Sequence, residues 1–278
     1  MKQDDSRQVR MPTPTSSLQE AEEDLQQAGV CVLLDALSSE TLQEARAALY
    51  RIAAGDRARG WSQDYGYGGD DHVNQRIWNL PSRDAIFCDL AEHAVALRFV
   101  KKVLGWPALL SSMSANIVAK GGDSMMVHAD QGYMPQPWSR AHGINVAWCI
   151  DDFNADNGAT RFVPGSHLLN RMSVRGEAVP ETAALEAPAG SAIIIDGRLW
   201  HTNGPSTSAQ SRAGIFSWYT LPIYLPQENW FLSVNPIVRQ LGSENLQTLL
   251  GFRPQVLGRI NGLDRLELST KLEKDVGQ

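Results

Sequence analysis

Toward the N-terminus the apolar residues recur at helical spacing, and beyond about residue 109 they bunch into short runs between turn residues. Ser16 or Ser17 is placed to cap a helix over residues 18–28, with Gly29 as its stop. The run VCVLLDAL at 30–37 predicts a buried strand, and Ser38-Ser39-Glu40 opens a second helix to about residue 54. Residues 84–104 carry Ile86, Leu90, Val95, Phe99, Val100 and Leu104 at helical spacing and stop at Gly105. Between these helices, residues 55–83 are rich in Gly, Asp and aromatics, including Trp61, Tyr65, Tyr67 and Trp78. A connection that long predicts a functional lid or a disordered segment.

Six β-rich runs follow: LLSSMSANIVAK, SMMVHADQGY, INVAWCIDDF, ATRFVPGS, SAIIIDGRLWH and AGIFSWYTL. Short strands between Gly, Pro and Asn turns predict a mainly-β fold with flanking helices, a jelly roll under an N-terminal helical layer. After Pro226 the pattern turns helical near 234–242 and 243–250. The expected organisation is a disordered tail over residues 1–15 and a single domain over 16–278, its β core at about 109–225.

Composition narrows the class. Of 278 residues, 43% are apolar and 20% charged, ordinary for a soluble globular chain. A net charge of −6 argues against nucleic-acid binding, which draws on basic residues against phosphate. Three scattered cysteines make no disulfide framework and fit a reducing cytoplasm. No signal-type h-region and no membrane-length apolar run is present.

The chemistry lies in His128-Ala129-Asp130, a lone His201 and Arg212. On an extended chain, positions i and i+2 share a face, so His128 and Asp130 can reach one metal while Ala129 turns away. Two histidines and one carboxylate can take one face of Fe(II), leaving positions open for a bidentate cosubstrate and O2. Arg212 supplies a planar cation for the far carboxylate of a 2-oxo acid. Two other classes remain: a divalent-metal hydrolase with the same ligand set, and a non-catalytic cupin-like binding protein. A hydrolase has no use for the arginine, and a binding protein has no need of all three ligands.

The run Asp156-Asn157-Gly158-Ala159-Thr160-Arg161-Phe162-Val163-Pro164-Gly165-Ser166-His167 resembles the NG…PGSH signature of the phytanoyl-CoA dioxygenase family. Gly190-Ser191 through His201, Asn203, Gly204, Ser206 and Arg212 resembles its second signature, and QQAGVCVLLDALSSETLQEAR its opening. The resemblance covers roughly residues 18–225. It implies a double-stranded β-helix, or cupin-like jelly roll, with His128, Asp130 and His201 as iron ligands and 2-oxoglutarate and O2 as cosubstrates. It implies that Arg212 holds the distal carboxylate of 2-oxoglutarate.

"NGAT" resembles the natural-product branch of that family, in which the threonine assists the arginine; Thr160 takes that place. Relatives in the branch carry Gln where this chain has Met125, so Asn116 is the expected substitute for the near carboxylate. His167 is expected to brace its turn. Asp130 argues against halogenation, which needs that position vacated. The expected substrate is a small secondary metabolite, hydroxylated with release of succinate and CO2. Gln131, Tyr133, Trp138 and Trp148 are its expected contacts; Trp218 also sits in a strand that can face the cavity. A homodimer is compatible with that branch.

Overall fold

The computed structural model describes residues 11–61, 73–122, 124–174, 177–253 and 257–259. Much of the expected lid, and residues 1–10 of the expected tail, lie outside them. Helix α1 (Leu18–Ala28) starts on Ser17, whose hydroxyl accepts from the Glu20 amide. It ends at Gly29, with φ +79°. Strand β1 (Val30–Leu33) follows, then α2 (Ser39–Ala58), capped by Ser38. Strand β2 (Asn74–Ile77) was not anticipated: NQRI has no strand pattern of its own, and it forms by pairing. The expected helix over 84–104 is broken into α3 (Ala85–Ala91) and α4 (Ala94–Val103). His93 sits at the break, its Nδ1 accepting from the Val95 amide at 3.3 Å. Burial lowers the pKa of His93, which keeps that lone pair available.

The main sheet takes β3 (Leu109–Val118), β4 (Gly143–Cys149), β7 (Ala192–Asp196) and β9 (Arg212–Thr220). Its order is β1-β7-β4-β9-β3-β2, with every pair antiparallel. A smaller sheet of β5 (Thr160–Phe162), β6 (Ala183–Ala184) and β8 (His201–Asn203) has the order β6-β5-β8. Three short helices close the described chain: α5 (Trp230–Ser233), α6 (Pro236–Leu241) and α7 (Glu244–Leu249). The architecture is the expected jelly roll with flanking helices. Its main sheet reaches back to recruit β1 and β2, outside the anticipated β core. The expected tail is also too long: the Thr15 amide donates to Val32 and the Thr15 carbonyl accepts from Leu34, which docks this segment along β1.

Strand alternation sorts the core in two. On β4 and β9, Ile144, Val146, Trp148, Ala213, Ile215 and Tyr219 face the helical layer and pack with Phe87, Phe99 and Leu49. The opposite face carries Ala147 and Cys149, packed with Phe153, Phe162, Ile193 and Ile195 between the sheets. This corrects one expectation. Trp148 is fully buried on the helical side, edge-on to the His93 ring at 5.1 Å, and cannot contact a substrate in the interior. Its position three residues from Asn145 puts it on the opposite face by parity alone.

His167, expected to brace its own turn, instead fastens the PGSH turn to the end of α1. This side chain is buried, its Nε2 is 3.3 Å from the Gln26 carbonyl, and its ring packs against Gly29. A Cβ on Gly29 would lie 2.5 Å from His167 Nδ1. At Gly105, with φ +84°, a Cβ would meet nothing within 4 Å. Both Gly→Ala changes carry the left-handed backbone cost of about 1–2 kcal/mol, and only Gly29→Ala adds a steric one. Chemical denaturation should find Gly29→Ala the less stable variant by at least about 1 kcal/mol; equal losses would show that the helix–turn contact gives way freely.

Candidate active site

The metal-binding candidates come together through the backbone. His128 and His201 face each other in an isolated antiparallel bridge, exchanging N–H···O bonds of 3.0 and 2.8 Å. The run around His128 is not the full strand its pattern suggested. Ala129 is nonetheless extended (φ −119°, ψ 136°), so the alternation argument holds over the residues that matter. Ala129 points into a small cluster with Trp138, Val163 and Trp200, while His128 and Asp130 turn to the other side. Asp130 then opens a single 3-10 turn, Asp130–Tyr133.

Asp130 Oδ1 lies 3.8 Å from His128 Nε2 and 3.6 Å from His201 Nε2. These separations are too long for hydrogen bonds. They suit donors sharing one ion, since two ligands each about 2.1 Å from a metal stand no more than ~4.2 Å apart. The Nδ1 atoms are held alike: His128 Nδ1 is 3.0 Å from the Met126 carbonyl, and His201 Nδ1 is 3.0 Å from the Leu199 carbonyl. Carbonyls accept, so both rings carry the proton on Nδ1 and present an Nε2 lone pair toward the same point. Burial and the neighbouring His201 lower the pKa of His128, favouring the neutral, ligating form. The donor set therefore fits a divalent transition metal such as Fe(II).

A cavity of about 390 Å³ opens on these three residues. Thr160 and Asn116 line one part of it. Arg212, on the same face of β9 as the cavity-lining Phe216 and Trp218, is completely buried and does not itself line the cavity. Its Nη2 donates to the Gly158 carbonyl, and its guanidinium lies 4.2 Å over the Phe153 ring. Nε and Nη1 are buried with no partner among the described residues. Burial lowers the Arg212 pKa to about 10, which still leaves a cation at neutral pH. A buried guanidinium with two unspent donors is matched by a carboxylate.

Elsewhere the cavity is lined by Tyr133, Trp218, Ser112 and Gln227. The Trp218 ring lies across Gly143, where a Cβ would come within 2.2 Å, and its indole N–H donates to Tyr133 Oη at 3.3 Å. Ser112 donates to Gln227 Oε1 at 3.0 Å. Met125 also lines the cavity, with Arg76 and Asn203 donating to its sulfur.

Of the expected substrate contacts, Tyr133 is on the cavity, whereas Gln131, Trp138 and Trp148 are not. Gln131 is fully buried, accepts from the His142 amide at 2.7 Å and donates to the Arg140 carbonyl, so its amide ties the 131–142 loop together. Trp138 is buried against Ala129 and Trp200, its indole donating to the Met134 carbonyl. Gln131 is turned inward within the 3-10 turn Asp130–Tyr133, and Trp138, beyond that turn, is drawn into the cluster around Ala129. Sequence reading missed Gln227, Ser112 and Asn145. Asn145 had a signal, one amide in the apolar run INVAWCI; Gln227 had none.

A jelly roll bearing two histidines, a carboxylate and a buried arginine defines the class of iron- and 2-oxoglutarate-dependent dioxygenases. Comparison with known proteins agrees. A sequence model of phytanoyl-CoA dioxygenase (PhyH) matches residues 25–214. "Dioxygenase af480" of Aspergillus fumigatus is 33% identical over 243 residues, covering 85% of this chain and 77% of its own. HygX of Streptomyces hygroscopicus, solved with nickel, 2-oxoglutarate and hygromycin B bound, superposes with a TM-score of 0.63 at 16% identity, over 76% of this chain and 90% of HygX. SnoN, described as a non-heme alpha ketoglutarate dependent epimerase from nogalamycin biosynthesis, gives 0.59 at 17% identity, over 73% and 83%. The chain belongs to the phytanoyl-CoA dioxygenase family.

The positions of the aromatics make a direct contrast. Trp138→Ala should cost about 3–5 kcal/mol of stability, as for other buried aromatics, measured by denaturant unfolding. Tyr133→Ala, at a half-exposed site, should cost under about 1 kcal/mol. Equal losses would mean that Tyr133 belongs to the core rather than to the cavity.

Proposed function

We propose that this chain oxidises an unactivated C–H bond of a small secondary metabolite, with hydroxylation as the outcome. The reading rests on one observation: three donor atoms within 4.8 Å of one another open on a cavity, and a buried arginine on a strand that also lines that cavity has two donors with no partner among the described residues. Substrate C–H, O2 and 2-oxoglutarate would give C–OH, succinate and CO2. When bound, Fe(II) supplies the activation of dioxygen, and 2-oxoglutarate supplies two electrons as it loses CO2.

The chain's own residues orient the reactants. His128, His201 and Asp130 hold the ion through two neutral imidazoles and one carboxylate. Arg212 takes the distal carboxylate of 2-oxoglutarate with Nε and Nη1, and Thr160, which lines the cavity, assists it. Asn116 lines the same cavity as the donor atoms, and its amide N–H would donate to the near carboxylate of the cosubstrate. Tyr133, Trp218 and Gln227 contact the substrate, and the closed sheet face beneath them limits water. Among the described residues no helix is long and apolar enough to cross a membrane, which suits a substrate taken from water.

A second outcome has support from the comparisons. SnoN is named an epimerase, an outcome other than hydroxylation on a similar fold; desaturation, epoxidation or ring rearrangement is the alternative reading for this chain. Hydrolysis by a bound zinc would leave Arg212 without a role. A binding protein would have no need of three intact ligands.

Anaerobic addition of Fe(II) and 2-oxoglutarate should give a visible charge-transfer band in the wild type. His128→Ala should abolish it. Arg212→Lys cannot offer a planar pair of donors, and should need about tenfold or more 2-oxoglutarate for the same band. No band in the iron-loaded wild type would sink the 2-oxo-acid reading and leave the hydrolase first.

A further inference from the structure

The Asp130 carboxylate has two oxygens, and they have different partners. Oδ1 faces the two imidazoles at 3.6 and 3.8 Å. Oδ2 accepts a hydrogen bond of 2.9 Å from Asn145 Nδ2. Only an N–H can donate to a carboxylate, so the amide's orientation is set by its partner. Asn145 is 8% exposed and sits mid-strand in β4, opposite Trp218 on β9 and Ile195 on β7. Its neighbours on the same face of β4 are Ala147 and Cys149, and its own Oδ1 is buried with no partner among the described residues. A half-satisfied amide in an apolar strand destabilises the fold. Packing alone does not account for it, whereas the bond to Asp130 does.

We propose that Asn145 is a positioning residue that fixes Asp130 as a one-oxygen ligand. The proposal rests on the metal-centre reading above and adds to it how the carboxylate is held. Carboxylates bind metals through one oxygen or through both. With Oδ2 tied to the strand, the side chain cannot turn to offer both. Two imidazoles and a single oxygen would occupy three ligand positions of a bound metal and would leave others open for a chelating 2-oxo acid and dioxygen. A carboxylate bound through both oxygens would take one of those. Asn145 thereby decides how many positions remain open without touching the ion.

The test uses the full chain and Co(II) as the probe, with Asn145→Leu and Asn145→Ala as variants. Thermal unfolding of the metal-free proteins checks folding; the leucine variant should be at least as stable as wild type, because an unpaired buried amide is removed. Co(II) affinity, read from visible absorbance, should fall about tenfold or more, the usual effect of losing a partner that orients a ligand. The Co(II) spectrum should change as Asp130 gains freedom to bind through both oxygens. A measurement on wild type needs no variant to fold: the infrared splitting of carbon-13-labelled aspartate in the Co(II) protein should be that of a one-oxygen ligand. A two-oxygen splitting there, or variant affinities within twofold of wild type, overturns the proposal. Wild type that binds Co(II) with the one-oxygen signature, but gives no Fe(II)–2-oxoglutarate band, upholds Asn145 and overturns the cosubstrate reading instead.

Discussion

The site depends on a single backbone pairing, the bridge in which His128 and His201 exchange both of their hydrogen bonds. One imidazole arrives at the end of an irregular segment and the other at the start of β8, some seventy residues later in the chain. The bridge brings their ring centroids to 4.4 Å and places each Nδ1 over a carbonyl two residues back on its own chain. Ring position and proton position are thus both consequences of main-chain geometry. Side-chain packing has little left to decide, which suits a site whose ligands must present lone pairs before an ion arrives.

Arg212 is the second constraint, and its electrostatics explain its surroundings. A guanidinium buried away from water is costly unless an anion answers it. Asp151, the carboxylate that acts on it, is already engaged: it accepts from Tyr50 Oη at 2.6 Å and pairs with Arg46 at 3.2 Å. The Phe153 face and the Gly158 carbonyl stabilise the cation in part. What remains is an unmet demand for negative charge at a fixed place. That demand is what the proposed hold of Arg212 on one end of a dicarboxylic cosubstrate would answer.

Much of this was legible in the chain. The His-x-Asp spacing needs only an extended residue between the two ligand candidates, and Ala129 supplies it even though the surrounding strand does not form. The helical N-terminal layer and the jelly roll follow from periodicity and turn residues. Facing was harder to read. Runs such as INVAWC are buried on both sides, so the alternation that separates an inner from an outer face is absent, and Trp148 reads no differently from Trp218. Gln131 and Trp138 were expected at the cavity only because they follow the ligand candidates, and closeness along the chain does not say which way a side chain turns. Strand β2 and the arrival of Gln227 at the cavity depend on pairing and docking between distant segments, which leave no local pattern.

The docking of Gln227 has a consequence for how such proteins diversify. Its segment is fastened to β3 by the Gln227 and Glu228 amides on Ser111 and by the Trp230 indole on the Leu110 carbonyl. It lies beyond residue 214, where the match to the family ends. The three ligand candidates and this part of the cavity wall therefore lie in separate stretches of the chain. A change of sequence in the later stretch can reshape the wall while leaving the ligand candidates as they are.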